Sequence, residues 1–485
     1  MHREFADDSI ALHTDLYQIN MAQTYWEDNI HNKKAVFEVF FRKLPFGNGY
    51  GIFAGLERVI EYIENFRFTD SDLQYLKNEL NYEEGFLEYL KNMRFSGTIK
   101  SMEEGELVFG NEPILRVEAP LAEAQIIETA ILNIINYQTL IATKATRIRE
   151  VIGDGTAMEF GSRRAHEMDA AIWGTRAAYI GGFDATSNVR AGKKFGIPVA
   201  GTHAHSFVQA YRDEYTAFMK YAQTHKDCVF LVDTYDTLKS GVPNAIKVAK
   251  EMQGQINFKG IRLDSGDLAY LSKKARKMLD DAGFPEAKII ASNDLDEYTI
   301  INLKAQGAKI DIWGIGTKLI TAYEQAALGA VYKLVSIEDE NGKMADTIKI
   351  SGNPEKVTTP GLKRVYRIIN RDNHKSEGDY IALDHENPQA EPKLKMFHPV
   401  HTFISKFVTN FEARELHKVI FQEGKLTYKV PSLKDMQSFA KDNLNVLWDE
   451  YRRSLNPEEY PVDLSQECWD NKMKMISQVK ENIKG

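Results

Sequence analysis

The middle third of the chain alternates short apolar runs with longer segments of helical spacing. Seven runs have the character of buried strands: TAMEF (156–160), AAYIGGF (177–183), PVAGT (198–202), CVFLV (228–232), FKGIRL (258–263), KIIAS (288–292) and KIDIWGI (309–315). Strands that alternate with helices indicate right-handed βαβ units, and continuous apolar runs indicate strands that are buried on both faces. The pattern therefore predicts an α/β fold with a TIM-like barrel, regular or irregular, over residues 151–335.

The flanks of this barrel have different patterns. Residues 1–150 predict a mixed α+β domain, with a strand in AVFEVFFRKLP (35–45), a helix in FLEYLKNMRF (86–95) and a long apolar helix over 124–150. Residues 336–395 predict β-hairpins that pack with this N-terminal domain, and Asn341-Gly342 is a dipeptide favoured in type I′ turns. Residues 396–485 are charged with helical spacing, which predicts a C-terminal helical appendage.

Polar residues follow the predicted strands at regular intervals. Asp184, His205, Asp233, Asp264 and Asn293 are separated by 21, 28, 31 and 29 residues, which is close to one βα unit each. The carboxyl ends of parallel barrel strands share one rim, and barrel enzymes carry their chemistry there. We therefore expect a single functional site at this rim.

Composition and charge narrow the kind of ligand. The chain is 43% hydrophobic and 27% charged, with a net charge of −8 and a mean hydropathy of −0.40. The negative net charge argues against a nucleic-acid partner. For the same reason, an anionic substrate would need a local basic pocket. The two cysteines, Cys228 and Cys468, have no metal-binding spacing. Because no apolar run approaches the ~18 residues of a membrane span and no signal-peptide pattern is present, we expect a cytoplasmic protein without a membrane partner.

Two strand-end motifs suit the binding of phosphate. In WGIGTKL, Gly314, Gly316 and Thr317 would let backbone N–H groups approach an oxyanion, although a plain tight turn explains the same residues. In LDSGD, Ser265 and Gly266 could cradle a phosphate, while the aspartates on either side could hold ribose hydroxyls or a magnesium-bound pyrophosphate. An Asp-Gly turn with a helix cap is the structural alternative for LDSGD.

Arginines stand at two of the strand ends. Arg163 and Arg164 occur in FGSRR, and Arg262 directly precedes Leu263-Asp264. The guanidinium group suits a bidentate grip on a carboxylate or phosphate, and the alternative is an ion-pair network with neighbouring carboxylates. In an acidic protein, arginines concentrated at one rim favour an anionic substrate.

Other motifs are rejected. FGNGYGIFAG (46–55) lacks the spacing of a dinucleotide fingerprint, and no P-loop motif occurs. The histidines at 374, 385, 398 and 401 are too loosely spaced to indicate a zinc site.

Taken in order, the strand-end motifs resemble those of nicotinate phosphoribosyltransferases. The resemblance covers most of the first ~330 residues and rests on TDLYQINMAQTYW (14–26), FEVFFRKLPFGNGYGIFAGLE (37–57), EFGSRRAHEMDAA (159–171), GGFDATSNV (181–189), GTHAHSFV (201–208), VDTYDT (232–237), RLDSGDL (262–268), SNDLDE (292–297) and GIGTKL (314–319). TPGLKRVYR (359–367) also resembles the family, and beyond about residue 400 the resemblance is thinner.

The resemblance implies an activity and a covalent intermediate. Nicotinate would react with phosphoribosyl pyrophosphate to give nicotinate mononucleotide and pyrophosphate, with ATP hydrolysis coupled through a phosphorylated histidine in NAD salvage. That histidine maps to His205, while His203 occupies a variable position. A carboxylate should orient the imidazole, and the candidates are Asp233 and Asp236, of which Asp236 is the better match to the related nicotinamide enzyme. ATP and Mg²⁺ would be co-substrate and counter-ion, with no resident metal and no tightly bound organic cofactor.

The resemblance also implies the substrate contacts. Nicotinate would stack between Phe160 and Tyr17 with Arg163 contributing, and Tyr17 would come from the neighbouring subunit of a homodimer. The remaining residues expected to bind substrate are Asp184, Arg262, Asp264, Ser265, Gly266 and Asn293 for the rim, ribose and phosphates, and Gly314, Gly316 and Thr317 for the 5′-phosphate.

Several other functions stay open at this point. A nicotinamide phosphoribosyltransferase shares the fold and the strand-end pattern, whereas quinolinate phosphoribosyltransferases are much shorter chains. An aldolase-like barrel would need a Schiff-base lysine, for which Lys259 is the obvious candidate. A non-catalytic nucleotide-binding regulator would bind a ligand without turnover.

Overall fold

The computed structural model describes residues 9–353 and 356–484. These residues group into two compact units. Unit 1 comprises the described residues up to Leu140 and from Ala327 onward, and unit 2 comprises Ile141–Ala326. The four-domain division expected from the sequence stays a prediction.

In chain order the α-helices are α1 (Leu16–Glu27), α2 (Leu56–Asn65), α3 (Asp70–Asn78), α4 (Glu84–Asn92), α5 (Leu121–Ile126), α6 (Glu128–Ile152), α7 (Glu167–Ile180), α8 (Val189–Phe195), α9 (His205–Tyr211), α10 (Glu214–Thr224), α11 (Val242–Glu251), α12 (Leu268–Asp281), α13 (Glu297–Ala305), α14 (Thr317–Ile320), α15 (Leu433–Leu444), α16 (Asp449–Arg452) and α17 (Gln466–Lys484). The strands are β1 (Lys34–Phe41), β2 (Gly51–Ile52), β3 (Thr98–Ser101), β4 (Leu107–Val108), β5 (Leu115–Pro120), β6 (Thr156–Glu159), β7 (Ala185–Thr186), β8 (Asp227–Leu231), β9 (Asn257–Leu263), β10 (Lys288–Ser292), β11 (Ile312–Ile315), β12 (Ala330–Glu338), β13 (Met344–Asp346), β14 (Lys363–Asn370), β15 (Ser376–Leu383), β16 (Leu394–Phe397), β17 (Ser405–Val408), β18 (Phe411–Glu415), β19 (Lys418–Gln422), β20 (Lys425–Leu426) and β21 (Val462–Leu464). None of the helices in the described ranges is long and apolar enough to cross a membrane.

Unit 2 is built on a parallel half-barrel sheet. Its strand order is β7-β6-β11-β10-β9-β8, and every pairing in it is parallel. Val199 extends the sheet beyond β7 through a parallel bridge to Thr186. Helices of the βα units separate most of the strands along the chain, so the α/β class and the barrel-like sheet predicted from the sequence are confirmed.

One predicted strand of this sheet is wrong. The run AAYIGGF (177–183) is the end of α7 and the turn after it, and the strand that follows is β7 (Ala185–Thr186). Helix α7 is buried over most of Ala171–Ile180. A helix that is apolar all round cannot be told from a buried strand by the period of its apolar residues. The next predicted strand, PVAGT, contributes only the bridge at Val199.

Unit 1 combines antiparallel sheets with helices. A seven-stranded sheet has the order β13-β12-β1-β5-β3-β19-β20, and a four-stranded sheet has the order β18-β14-β15-β21. In the first sheet β12 pairs with β1 and with β13, so a later hairpin completes the N-terminal sheet as predicted. Strand β19, which pairs with β3, comes from the segment 396–485 that was predicted to be helical, and this part of the prediction is wrong. Strands β17–β20 precede the helices α15, α16 and α17 that occupy the C-terminal part of the chain.

The hairpin at Asn341-Gly342 is present, but its turn is not of type I′. Strands β12 and β13 pair antiparallel as far as Glu338 and Met344, which leaves five residues between them. Only Gly342 has a positive φ, of 75°, whereas type I′ needs a positive φ at both central residues. The Asp339 carboxylate accepts hydrogen bonds from the N–H groups of Asn341 and Lys343 and so fixes a wider loop.

The side chain of Arg367 on β14 forms a buried ionic contact in unit 1. Its guanidinium donates to both oxygens of Asp379, at 2.9 and 2.7 Å, and both side chains are 0% exposed. It also donates to the carboxylate of Glu106, which is 2% exposed. Asp379 therefore has its charge compensated by Arg367, whereas Glu106 is shared between Arg367 and Arg414, whose Nη1 lies 2.7 Å from Glu106 Oε2.

His203 belongs to the core of unit 2. Its side chain is 7% exposed and its ring lies within 6.5 Å of four aromatic rings, those of Phe207, Phe218, Tyr221 and Phe230. Its Nε2 accepts a hydrogen bond from the N–H of Leu231 on β8 at 3.3 Å. Burial, more than the neighbouring positive charges, lowers the pKa of His203 to about 4. The ring is therefore neutral at neutral pH and packs as a core residue.

Replacement of Arg367 by methionine should strongly destabilise unit 1. The variant Arg367→Met leaves the buried carboxylate of Asp379 without its arginine, while Glu106 keeps Arg414, and we expect it to lower the free energy of unfolding by about 3–5 kcal/mol. Urea denaturation followed by circular dichroism measures this loss. The control Lys77→Met removes an exposed ion pair with Glu84 and should cost less than about 1 kcal/mol. Equal losses in the two variants would contradict the role given to Arg367.

His203 should make the stability of the protein depend on pH. In the unfolded chain a histidine has a pKa near 6.5, so between pH 6.5 and 4 the unfolded state binds more protons at this site. Stability therefore falls as the pH falls through this window, by about 2 kcal/mol from this residue between pH 7.5 and 5. Urea denaturation at both pH values should show a smaller difference in His203→Gln, whose amide oxygen can still accept from Leu231. The exposed-site control His225→Gln should keep the wild-type difference, and an unchanged difference in His203→Gln would contradict the assignment.

Candidate active site

The carboxyl ends of the parallel strands of unit 2 lie along one edge of the sheet. Phe160 follows β6, Asp264 follows β9 and Asn293 follows β10, while Asp233 comes two residues after the end of β8. Gly316 follows β11 and precedes the short helix α14. The structure therefore places most of the predicted strand-end residues at the same edge, which we call the carboxyl edge.

Arg262 connects three segments at the carboxyl edge. Its Nε donates to Ser292 Oγ at 2.9 Å, its Nη1 to Thr202 Oγ1 at 3.0 Å and its Nη2 to Asp264 Oδ1 at 2.9 Å. These partners lie at the end of β10, in the segment after Val199 and directly after β9. The side chain is 15% exposed, so its main role is to hold these segments in register.

Asp264 is an anion at neutral pH. Burial raises the pKa of its carboxyl group, but hydrogen bonds from Ser292 and Arg262 and the nearby charges of Arg262 and His205 outweigh burial and lower the pKa below its ordinary value. The Ser292 hydroxyl donates to the same oxygen as Arg262. The second oxygen, Oδ2, faces the imidazole of His205.

Two carboxylates face one nitrogen of His205. Its Nε2 lies 3.8 Å from Asp264 Oδ2 and 3.9 Å from Asp233 Oδ1, and its Nδ1 lies 3.1 Å from Thr234 Oγ1. The imidazole is 39% exposed, so a reagent can reach it. The ring thus has a fixed hydroxyl on one nitrogen and negative charge close to the other.

The side chain of Asp233 is buried, and among the described residues only one of its two carboxylate oxygens has hydrogen-bond partners. Its side chain is 2% exposed. Its Oδ2 accepts the N–H of Asp264 at 2.8 Å and the hydroxyl of Ser265 at 2.7 Å. Its Oδ1 has no hydrogen-bond partner in the part of the chain that the structure describes. A buried carboxylate oxygen without a partner costs free energy, which a cation or a protonated imidazole in front of it would offset.

Asp236, the preferred partner of His205 in the sequence analysis, lies elsewhere. Its carboxylate caps the following turn by accepting the N–H groups of Leu238 and Lys239 at 3.1 and 2.8 Å, and it pairs with the Lys239 ammonium at 3.7 Å. The spacing of VDTYD does not decide which of its two aspartates turns toward the neighbouring loop. The structure brings Asp233, and not Asp236, next to the imidazole.

Phe160 borders a cavity inside unit 2. The cavity has a volume of about 740 Å³, and Met158, Phe160, Thr202, Ile290 and Ile312 are among the residues that line it. Lys259 and Lys288, near the amino ends of β9 and β10, also line it, so the cavity extends from Phe160 toward the amino ends of the strands. The absence of a side chain at Gly314 leaves room for the Phe160 ring, because a Cβ at Gly314 would lie 2.6 Å from that ring. The Arg262 guanidinium carbon lies 5.9 Å from the centre of the same ring.

Arg163 offers an available cation near Phe160 in the chain. It lies in a 3₁₀ turn, Ser162–Arg164, and is exposed. Within residues 9–353 and 356–484 it forms no ion pair. Because Arg262 is committed to three partners, Arg163 is the better placed of the two for binding an anionic group.

Asp184 is not at the carboxyl edge, which corrects its prediction as a rim residue. It precedes β7, and its carboxylate accepts the N–H of Ala157, near the start of β6, at 2.8 Å. It also pairs with Arg149 of α6 at 3.0 Å. These partners lie at the amino edge of the sheet. The error follows from the misplaced strand at 177–183, because that strand would have ended directly before Asp184.

The other predicted residues divide between the two units. Ser265, Gly266 and Asn293 lie on the loops of the carboxyl edge, with φ angles of 79° for Gly266 and 102° for Asn293. Thr317 begins α14. Tyr17 lies on α1 of unit 1 and is 50% exposed, and its predicted place in a shared site stays a prediction.

Sequence reasoning missed the hydroxyl groups and one carboxylate at this edge. Thr202, Thr234 and Ser292 contact the predicted residues, and each lies within a strand-end motif. Glu159 is buried directly before Phe160. Their proximity in the sequence to the predicted residues was the available signal, but the side-chain directions that bring them together are set by the sheet.

Lys259 does not have the surroundings of a Schiff-base lysine. It lies near the start of β9, its side chain is 58% exposed, and its ammonium lies 3.5 Å from Asp227. Barrel enzymes carry their chemistry at the opposite ends of the strands.

Three family models match the chain. They are described as the nicotinate phosphoribosyltransferase (NAPRTase) N-terminal domain over residues 12–136, the nicotinate phosphoribosyltransferase (NAPRTase) family over residues 156–372, and the nicotinate phosphoribosyltransferase C-terminal domain over residues 362–472. Together they match most of the chain, including the whole carboxyl edge.

Known proteins agree with these models. The chain is 72% identical to a nicotinate phosphoribosyltransferase of Bacillus subtilis, over 99% of this chain and 98% of the relative. It is 40% identical to one of Dictyostelium discoideum, over 94% of this chain and 86% of the relative. The crystal structure of human nicotinic acid phosphoribosyltransferase matches with a TM-score of 0.85 and 29% identity, over 95% of this chain and 99% of that one. The fold, the motifs and these relatives together show that the chain belongs to the nicotinate phosphoribosyltransferase family.

Proposed function

We propose that the chain transfers the phosphoribosyl group of phosphoribosyl pyrophosphate to nicotinate, forming nicotinate mononucleotide and pyrophosphate in NAD salvage. The observation that carries this proposal is the grouping of His205, Asp233 and Asp264 at the carboxyl edge. Arg262, which donates to Asp264, also lies beside the ring of Phe160. The membership of the chain in the nicotinate phosphoribosyltransferase family supports the choice of substrates.

Phe160 and Arg163 would bind nicotinate. The aromatic face of Phe160 suits a planar pyridine ring, and the exposed guanidinium of Arg163 suits the carboxylate of the same substrate. Tyr17 of a second subunit would cover the other face of the ring in a homodimer. Bound in this way, the ring nitrogen is held toward the anomeric carbon of the second substrate.

The loops of the carboxyl edge would bind the phosphoribosyl donor. Gly316 and Thr317 follow β11, where barrel folds commonly bind phosphate, and Gly314 lies within that strand, while Ser265 and Gly266 follow β9. Displacement at the anomeric carbon passes through an oxocarbenium-like state in which pyrophosphate departs, so orientation and charge stabilisation contribute most of the catalysis. No strong base is needed for this step.

Carboxylate oxygens at this edge fit a magnesium ion that arrives with the phosphates. Mg²⁺ prefers hard oxygen ligands and is commonly held by one or two carboxylates together with substrate phosphates. Asp233 Oδ1, which is buried and unpartnered, and Asp264 Oδ2 are such donors. Among the described residues no group of three or more histidine, cysteine or acidic side chains is arranged to hold a metal ion on its own.

His205 would accept the γ-phosphoryl group of ATP. An imidazole nitrogen forms the new N–P bond as the bond to the departing ADP breaks, and hydrolysis later returns the phosphoryl group as inorganic phosphate. The negative charge of Asp233 and Asp264 stabilises the positive charge that the ring acquires during transfer. Thr234 at Nδ1 fixes the orientation of the ring.

The proposed reaction is tested by product formation. Purified protein is incubated with phosphoribosyl pyrophosphate, Mg²⁺ and either nicotinate or nicotinamide, with and without ATP, and the mononucleotide and ADP are measured by chromatography. We expect nicotinate mononucleotide, with release of ADP and a higher rate when ATP is present. Turnover of nicotinamide alone would assign the chain to the sister activity, and no product from either base would refute the proposal.

The structure predicts that the two aspartates of VDTYD contribute unequally to the ATP-dependent rate. Asp233→Asn should reduce the ATP-dependent rate on the order of 10²-fold, because it removes a charge next to the His205 imidazole. Asp236→Asn should change this rate less than about two-fold, since that carboxylate caps a turn away from the ring. Steady-state rates at saturating substrate measure both effects. The reverse order would restore the assignment made from the sequence.

A further inference from the structure

Glu159, the last residue of β6, has an unusual environment for a carboxylate. Its side chain is buried, with the residue 1% exposed. Its Oε2 accepts the hydroxyl groups of Thr186 on β7 at 2.6 Å and Thr175 on α7 at 3.0 Å. Its Oε1 accepts the backbone N–H of Gly161. One carboxylate thus joins a strand, a helix and the turn that follows its own strand.

All contacts of this carboxylate are hydrogen bonds that it accepts. Across the described residues no cation lies within ion-pair distance of Glu159. A buried carboxylate without a cation is costly, and three donors offset only part of that cost. The contacts therefore do more to define the local geometry than to stabilise the fold.

The geometry that Glu159 defines is that of the Phe160–Gly161 turn. The N–H of Phe160 donates to Ile315 O on β11 at 2.7 Å, and the next N–H, that of Gly161, donates to Glu159. A Cβ at Gly161 would lie 2.7 Å from Ile320, so the turn has no room to shift in that direction. The backbone of Phe160 is consequently fixed on both sides.

We propose that Glu159 is the positioning residue for the pyridine ring of the substrate. It acts through Phe160, whose ring it holds at the cavity, and through the turn that carries Arg163. This inference rests on the proposed function, because it takes nicotinate as the ligand of Phe160. Loss of the carboxylate should weaken the binding of the pyridine and leave the phosphoribosyl donor site intact.

Glu159→Gln tests this role with little change of shape. The amide can keep the Gly161 N–H only by turning its NH₂ toward the two threonine hydroxyls, which must then accept instead of donate, so the hydroxyl hydrogen of Thr186 loses its acceptor. We expect the KM for nicotinate to rise about ten-fold or more, while the KM for phosphoribosyl pyrophosphate and kcat each change less than about three-fold. An unchanged KM for nicotinate, or equal changes in both KM values, would overturn the inference.

Thr175→Val gives a second and milder test, with a closely matched control. Thr175 is 1% exposed, and its hydroxyl contacts both Ala171 O of its own helix and Glu159. Ser272 on α12 is 0% exposed, and its hydroxyl contacts Ala269 O of its own helix and the N–H of Lys309, away from this turn. Thr175→Val should raise the KM for nicotinate about three-fold, whereas Ser272→Ala should leave it unchanged.

The double variant shows whether Thr175 acts through Glu159. If it does, Glu159→Gln combined with Thr175→Val should raise the KM for nicotinate by less than the product of the two single effects. A full product would mean that the two residues act independently and would contradict the inference. A wild-type protein that forms no nicotinate mononucleotide would instead refute the proposed function, so the two failures can be told apart.

Discussion

The three-way contact of Arg262 determines the geometry of the carboxyl edge. One planar guanidinium donates to Ser292, Thr202 and Asp264, which come from three different parts of the chain. A lysine could not make the same contacts, because its ammonium is a point charge without a fixed fork of donors. The positions of Asp264 and, through it, of Asp233 relative to His205 depend on this contact. The arrangement that faces substrate is therefore set by an arginine that itself is mostly buried.

Negative charge at this edge is held in place by hydrogen bonds from neighbouring groups. Asp264 stays ionised because Arg262 and Ser292 donate to it, and Asp233 is fixed by the backbone and hydroxyl of the next strand end. These carboxylates are preorganised, so in the proposed reaction they would need no rearrangement for a positive charge on His205 or for a cation that arrives with the phosphates. Glu159 adds a third carboxylate, whose contacts fix the backbone on the aromatic side of the site.

The sequence predicted those parts of the site that follow from strand position alone. Asp233, Asp264 and Asn293 share one edge because the strands before them are parallel, and that relation needs only the alternation of strands and helices. His205 reaches the same edge after the segment that bridges to β7 at Val199. The prediction for Asp184 was wrong because the end of helix α7 was taken for a strand that would have ended directly before this residue. Asp184 lies instead at the opposite, amino edge of the sheet.

Side-chain direction set the limit of the sequence prediction. The spacing of VDTYD allows either aspartate to approach His205, and the choice between them depends on a cap formed by Asp236 with the next turn. The two histidines of GTHAHS illustrate the same limit. His205 is partly exposed at the start of α9, whereas His203, two residues earlier, is enclosed by aromatic rings. Only packing distinguishes an accessible imidazole from a core imidazole here.

Transfer of phosphate from ATP to His205 tests the central claim most directly. The protein is incubated with ATP labelled in the γ-phosphate, and the acid-labile label that remains on the chain is measured in wild type and in His205→Asn. The account predicts label on the wild-type chain at His205 and none on the variant. Label that persists in His205→Asn, or ATP-stimulated turnover without any labelled histidine in the wild type, would contradict it.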